Sequence, residues 1–192
     1  MSIDTSIIIL AFALLVSLFI LYHLWFRVKG AIIESRNREK DDEIGQRLAK
    51  RYFWFLVDEY GFNYEKYTYL SKEMVVVFEL GHKTPSIFIN RIREPDFVRL
   101  NLEWILKFFH GTSPSDGRDY TTHSLEGNMA FISHIFRDNS RRLIEEFDDW
   151  WFPAHVFFYR TIEKKYEDEG QTENFLKSYK HYYEYLKSNG AV

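Results

Sequence analysis

Three segments follow one another without a gap: Met74-Val75-Val76-Val77-Phe78-Glu79-Leu80, Gly81-His82-Lys83-Thr84-Pro85 and Ser86-Ile87-Phe88-Ile89-Asn90-Arg91-Ile92. The outer two are β-branched and aromatic runs, and the middle one is a cluster of turn formers. Branched side chains pack well on a pleated surface and are stiff in a helix, so such runs favour strands. The stretch predicts two antiparallel strands joined by a turn. Tyr67-Thr68-Tyr69-Leu70 predicts another strand before them, and Phe97 to Leu100 a strand or a turn after them.

On either side the pattern changes to a helical period. Ile44, Leu48, Tyr52, Phe55 and Leu56 form one stripe, widened by Phe53, Trp54 and Val57, with Gly61 as its C-cap. Beyond the strands, Asn101 is expected to cap a helix burying Leu102, Ile105, Leu106 and Phe109, which Gly111 ends. Leu125, Met129, Ile132 and Phe136, then Leu143 and Phe147, continue one helical face, and Pro153 is expected to break or restart it. Phe158, Ile162 and Tyr166 make another stripe, closed by Gly170. Thr172 is expected to cap a last helix that turns Phe175, Tyr179, Tyr182 and Leu186 inward and ends at Gly190. Residues 44–192 therefore read as one α+β domain, a small antiparallel sheet packed with several helices.

Ahead of this domain, Ile7 to Phe26 carries no Asp, Glu, Lys or Arg. A helix of about 20 apolar residues matches the hydrocarbon thickness of a bilayer. Tyr22, His23 and Trp25 gather at one end, as interfacial residues do, and Arg27 and Lys29 follow at once. A cleaved signal peptide is opposed by the lack of a basic residue before the run, by its length, and by the bulky His23 to Arg27 where a small-residue cleavage site would lie. The expectation is a retained transmembrane helix at 7–26, contacting lipid through residues 7–29. Positive flanks stay inside, so residues 1–6 are expected outside and the domain in the cytoplasm, at the inner membrane of a bacterial cell. Residues 27–43, including Glu34-Ser35-Arg36-Asn37-Arg38-Glu39-Lys40, read as a charged juxtamembrane stalk.

The formal net charge of −3 lacks the basic excess of a typical nucleic-acid binder, and no nucleic acid is expected as a partner. The absence of cysteine excludes disulfides, thiolate nucleophiles and cysteine-ligated metals. No cofactor and no metal is expected. The histidines show no His-Glu-x-x-His pair; His110 and His123 bracket the breaker-rich stretch Gly111 to His123 and could meet across it, but they read as two polar residues at the loop edges. Glu145, Glu146, Asp148 and Asp149 precede Trp150 and Trp151. Paired carboxylates beside aromatic rings occur in sugar-cleaving sites, but neighbours on a helix diverge, so these read as solvated acids with the tryptophans turned inward. No phosphate-loop, dinucleotide or nucleophile-elbow motif occurs, and no catalytic residue is assigned.

One stretch carries a resemblance. Phe55-Leu56-Val57-Asp58-Glu59-Tyr60-Gly61-Phe62, ending a first helix and followed by the strands Met74 to Leu80 and Ser86 to Ile92, resembles the opening of immunity-protein-like domains of bacterial toxin–immunity systems. The likeness spans residues 48–110, and a membrane anchor departs from the usual pattern. It implies a protein that is not an enzyme and that binds and blocks a protein partner. The candidate partner-binding residues read from the sequence are Arg118 and Tyr120 in the long loop and Tyr183 and Tyr185 off the inward stripe of the last helix. Two other classes stay open: a membrane-anchored enzyme using His123 with Glu145 or Asp148, and a structural or signalling subunit of a membrane complex, including an antiviral effector.

Overall fold

The computed structural model describes residues 41–80, 85–113 and 116–191, together with Phe19, Tyr22, His23, Trp25 and residues 27–29. The chain divides into two compact units, Met1–Ile44 and Gly45–Val192. In the first, the described residues are helical and exposed. Most of the expected span 7–26, and of the stalk 27–43, lies outside the described residues. Among those described, no helix is long and apolar enough to cross a membrane.

The second unit is α+β. Its elements are the part of helix α1 (described over 41–53) from Gly45 onward, a short α2 (Phe55–Asp58), strands β1 (Asn63–Glu65), β2 (Thr68–Leu70), β3 (Met74–Leu80), β4 (Pro85–Arg91) and β5 (Leu100–Asn101), then helices α3 (Leu102–His110), α4 (Leu125–Asp138), α5 (Phe147–Asp168) and α6 (Thr172–Ser188). The sheet is an antiparallel meander in the order β1-β2-β3-β4-β5. Strand alternation decides its faces. The register sets Tyr69, Val76, Ile89 and Leu100 in one row across four strands, and each is at most 2% exposed. Burying such side chains contributes about 1.5–3 kcal/mol apiece. The row behind it, Thr68, Val77, Phe88 and Asn101, is half-buried.

The inner face meets an aromatic core. Phe53 of α1 packs edge-on against Phe78 at 4.6 Å and Phe136 at 5.8 Å between ring centroids. Hydroxyls tie α1 to this core: Tyr69 Oη donates to Ala49 O at 3.0 Å, Tyr64 Oη to Gln46 O at 3.2 Å and Ser133 Oγ to Tyr52 O at 2.6 Å. Gly45 permits the close approach, because a Cβ there would stand 1.8 Å from Leu80 Cδ1.

The structure departs from the sequence reading at several places. Strand β1 was not expected. Asn101 does cap α3, its side chain accepting from Glu103 N at 2.8 Å, and Gly111 closes that helix at φ +78. Leu143 and Phe147 are buried after Phe136, as expected, although a π-helical segment, Arg141–Glu145, lies between α4 and α5. Pro153 neither breaks nor restarts a helix but lies inside α5. It and Asp149, whose carbonyl loses its bond to a proline nitrogen, are both exposed, the side of a helix on which a lost backbone bond is best tolerated. Thr172 is the first residue of α6 rather than its cap; Gln171 holds the cap position and its side chain makes no capping bond.

Candidate functional site

Helices α5 and α6 form an antiparallel pair, reversed at Gly170 with φ +69. Ring contacts run down the pair, from Phe152 with Tyr185 through Tyr159 with Tyr182 to Tyr166 with Phe175. The 3-10 turn Asp96–Val98 and the residue after it stand beside this pair. Between them opens a groove of about 540 Å³, lined by Phe97 and Arg99 on one side, by Phe158 of α5, and by Ser178, Tyr179, His181 and Tyr182 of α6. Phe97 is 55% exposed. Arg99 is held in place twice: Nη1 pairs with Glu79 Oε1 at 2.7 Å, and its guanidinium lies 4.5 Å from the Phe88 ring centroid. The groove thus offers aromatic faces with one fixed cation at its side.

Directly behind it lies a buried polar cluster. The Tyr182 hydroxyl hydrogen-bonds His155 Nδ1, and His155 is fully buried. His155 Nε2 has no hydrogen-bond partner among the described residues, while Trp151 Nε1 and Tyr185 Oη lie close to each other, and Tyr185 Oη close to Glu94, without a well-formed bond. Burial, reinforced by the Arg91 guanidinium, pulls the His155 pKa down to about 3. Burial, with Tyr185 and Tyr179 beside it, pushes the Tyr182 hydroxyl far up. Both groups are therefore uncharged at neutral pH. Acid–base catalysis asks for groups poised near the working pH. Burial drives this pair away from it in opposite directions, so the two groups meet as neutral partners of a buried hydrogen bond. Arg91 itself pairs with Asp148 and lies over Phe147 and Phe152.

A second, smaller cavity of about 240 Å³ lies among Pro85, Ile87, Leu102, Leu106, Ile132 and Ile135, with Glu103 and Tyr120 also in its lining. Its lining is mostly apolar.

The four sequence-derived candidates do not converge. Tyr183 is 42% exposed but stands beside Tyr159, away from the groove. Tyr185 is not an exposed residue: it is 9% exposed, packed against Phe152 and Phe97. The loop residues are only half-exposed. Arg118 lies 3.9 Å above the Phe131 ring and donates to Asn128 Oδ1 at 3.2 Å, and Tyr120 Oη donates to Glu103 Oε1 at 3.4 Å. His110 pairs with Asn139 Oδ1 at 2.8 Å. His123, Glu145 and Asp148 are all exposed. Among the described residues no three His, Asp or Glu side chains gather as a metal would require. The groove residues Phe97, Arg99 and Phe158 went unmarked in the sequence as a site, because they come from segments that carry no shared motif.

No family model, no curated protein and no solved structure matches the chain.

Proposed function

We propose that this chain is a single-pass protein of the bacterial inner membrane whose second unit, Gly45–Val192, binds another protein on the cytoplasmic side, acting as an immunity or inhibitor protein. The observation that carries the reading is the open aromatic groove between Phe97 and α6, backed by a His–Tyr pair whose members are both held uncharged. Large rings with one fixed guanidinium are the chemistry of protein-binding hot spots. The anchor rests on the charge-free run Ile7 to Phe26 and the basic residues after it. Lys29 Nζ lies 4.9 Å over the Trp25 ring, a pairing suited to a membrane–water boundary.

The test is affinity capture from detergent extracts with the full chain and two variants. Phe97→Ala lies in the groove, and Tyr183→Ala lies on α6 outside it. Phe97→Ala is expected to weaken retention of the co-purifying partner by about 1–2 kcal/mol, on the order of tenfold, with cooperative unfolding retained and only a small drop in melting temperature from the lost contact with Tyr185. Tyr183→Ala is expected to bind as the parent does. Equal retention by the parent and Phe97→Ala would remove the groove from the reading.

A further inference from the structure

The smaller cavity, of about 240 Å³, is walled by three different elements. Ile87 stands on β4, Leu102 and Leu106 on α3, and Ile132 and Ile135 on α4. Ile87, Leu102 and Leu106 are each at most 3% exposed. Side chains wedged among neighbours at interior density are not free to swing into a space beside them. The mouth is polar and fixed. Glu103 is exposed and marks it. Asn128, itself fully buried, donates from Nδ2 to Tyr120 O at 2.9 Å, which pins the 3-10 turn Tyr120–Thr122 beside the opening. The Tyr120 hydroxyl in turn reaches Glu103 Oε1 at 3.4 Å. A carboxylate has room for about four hydrogen bonds, so the one from Tyr120 leaves Glu103 able to accept from a ligand as well.

We infer that this cavity binds a small amphiphile: an aliphatic chain between α3 and α4, with a hydrogen-bond-donating head at Glu103. The inference goes beyond the protein-binding reading and depends neither on it nor on the anchor. Three arguments select the ligand. The first is the lining. Five aliphatic side chains offer nothing to a polar body, whose burial without partners is costly. The second is size. An apolar cavity of about 150 Å³ takes benzene, so one of this volume takes about nine or ten heavy atoms. That is a chain of about eight carbons with a small head, and it is too little for a peptide segment or a two-chain lipid. The third is the head. The carboxylate at the mouth accepts from an ammonium or a hydroxyl and repels a second carboxylate. Fatty acids of the same length are therefore excluded.

The test follows single methyl groups by NMR. The full chain, with isotope-labelled isoleucine and leucine methyls and phosphatidylcholine nanodiscs present, is titrated with n-octylamine, n-octanol and n-octanoate. Concentrations are those free in the aqueous phase. Octylamine and octanol are expected to shift the methyl resonances of Ile87, Ile132 and Ile135 to saturation. Ile162 on α5 and Leu176 on α6 should stay where they are. Octanoate should do nothing over the same range. Ile135→Phe, at a half-buried wall position, should fill the space and remove both responses. Glu103→Gln should weaken octylamine by about threefold and leave octanol within roughly twofold of the parent. No saturable shift with either probe overturns the assignment. So does an equal response to octanoate, an equal shift at Ile162 and Leu176, or an undiminished response in a folded Ile135→Phe. Should Ile135→Phe fail to fold, the exposed change Glu103→Gln decides: the expected loss for octylamine upholds the site, and an unchanged response rejects it.

Discussion

The two sides of the domain bury polar groups in opposite ways. Around α1 the buried hydroxyls of Tyr69 and Ser133 and the half-buried one of Tyr64 all donate to backbone carbonyls, at 3.0, 2.6 and 3.2 Å. Between α5 and α6, among the described residues, His155 Nε2 finds no partner, and Trp151 Nε1 and Tyr185 Oη make no well-formed hydrogen bond. The first side fixes a helix on a sheet through satisfied bonds. The second holds its polar atoms in a ring-lined interior and keeps its titratable groups neutral instead. A buried group that is satisfied adds modestly to stability, whereas one that is not costs its desolvation. The contrast locates the tension of the molecule next to the groove and leaves the sheet side relaxed.

The largest expected effect of this difference is on acid stability. His155 has its pKa lowered from 6.5 to about 3 on folding. The unfolded chain therefore takes up the proton first as pH falls. The stability that neutral His155 allows is complete above pH 6.5 and drains away below it, down to about pH 3. By pH 4.5 the loss reaches about 2–3 kcal/mol. Denaturant titrations at pH 7 and 4.5 should show His155→Phe losing that much less than the parent between the two. An equal loss in both chains would break the contrast.

The next effect is a conservative change on the satisfied side. Tyr69→Phe removes the bond to Ala49 O without altering the ring, and should lower stability by about 1 kcal/mol in urea unfolding. The smallest is its counterpart. Tyr185→Phe removes a buried hydroxyl that lies near Trp151 and Glu94 without a well-formed bond to either, so stability should change by less than it does in Tyr69→Phe. If Tyr185→Phe cost as much as Tyr69→Phe, the two sides would not differ in kind.

How far the sequence could be read follows from where each signal lies. The strands β3 and β4 were legible because their alternation is strict: Met74, Val76 and Phe78 point inward, as do Ile87 and Ile89. Strand β1 was not, because Asn63, Tyr64 and Glu65 lack a branched run and are a strand only by pairing with Thr68 to Leu70. Pro153 misled because its effect depends on which side of the helix it faces, and an exposed side tolerates the lost bond. Tyr185 misled because α6 is covered both by α5 and by Phe97, so its buried arc is wider than the stripe Phe175, Tyr179, Tyr182 and Leu186. Arg118 shows that a breaker-rich loop need not face water, since a guanidinium stacks flat on Phe131. The groove could not be read at all. Its sides come from residues 97–99 and 158–182, and no periodicity links them.

The meander ends in very short strands: β1 has three residues and β5 only two. An exposed strand edge is a template on which another chain polymerises, and short edges blunt it. Pro85 adds to this by removing an N–H at the start of β4, and Glu65 and Lys66 place opposite charges at the end of β1. Strands of two and three residues at its two ends leave this sheet little edge on which another strand could add.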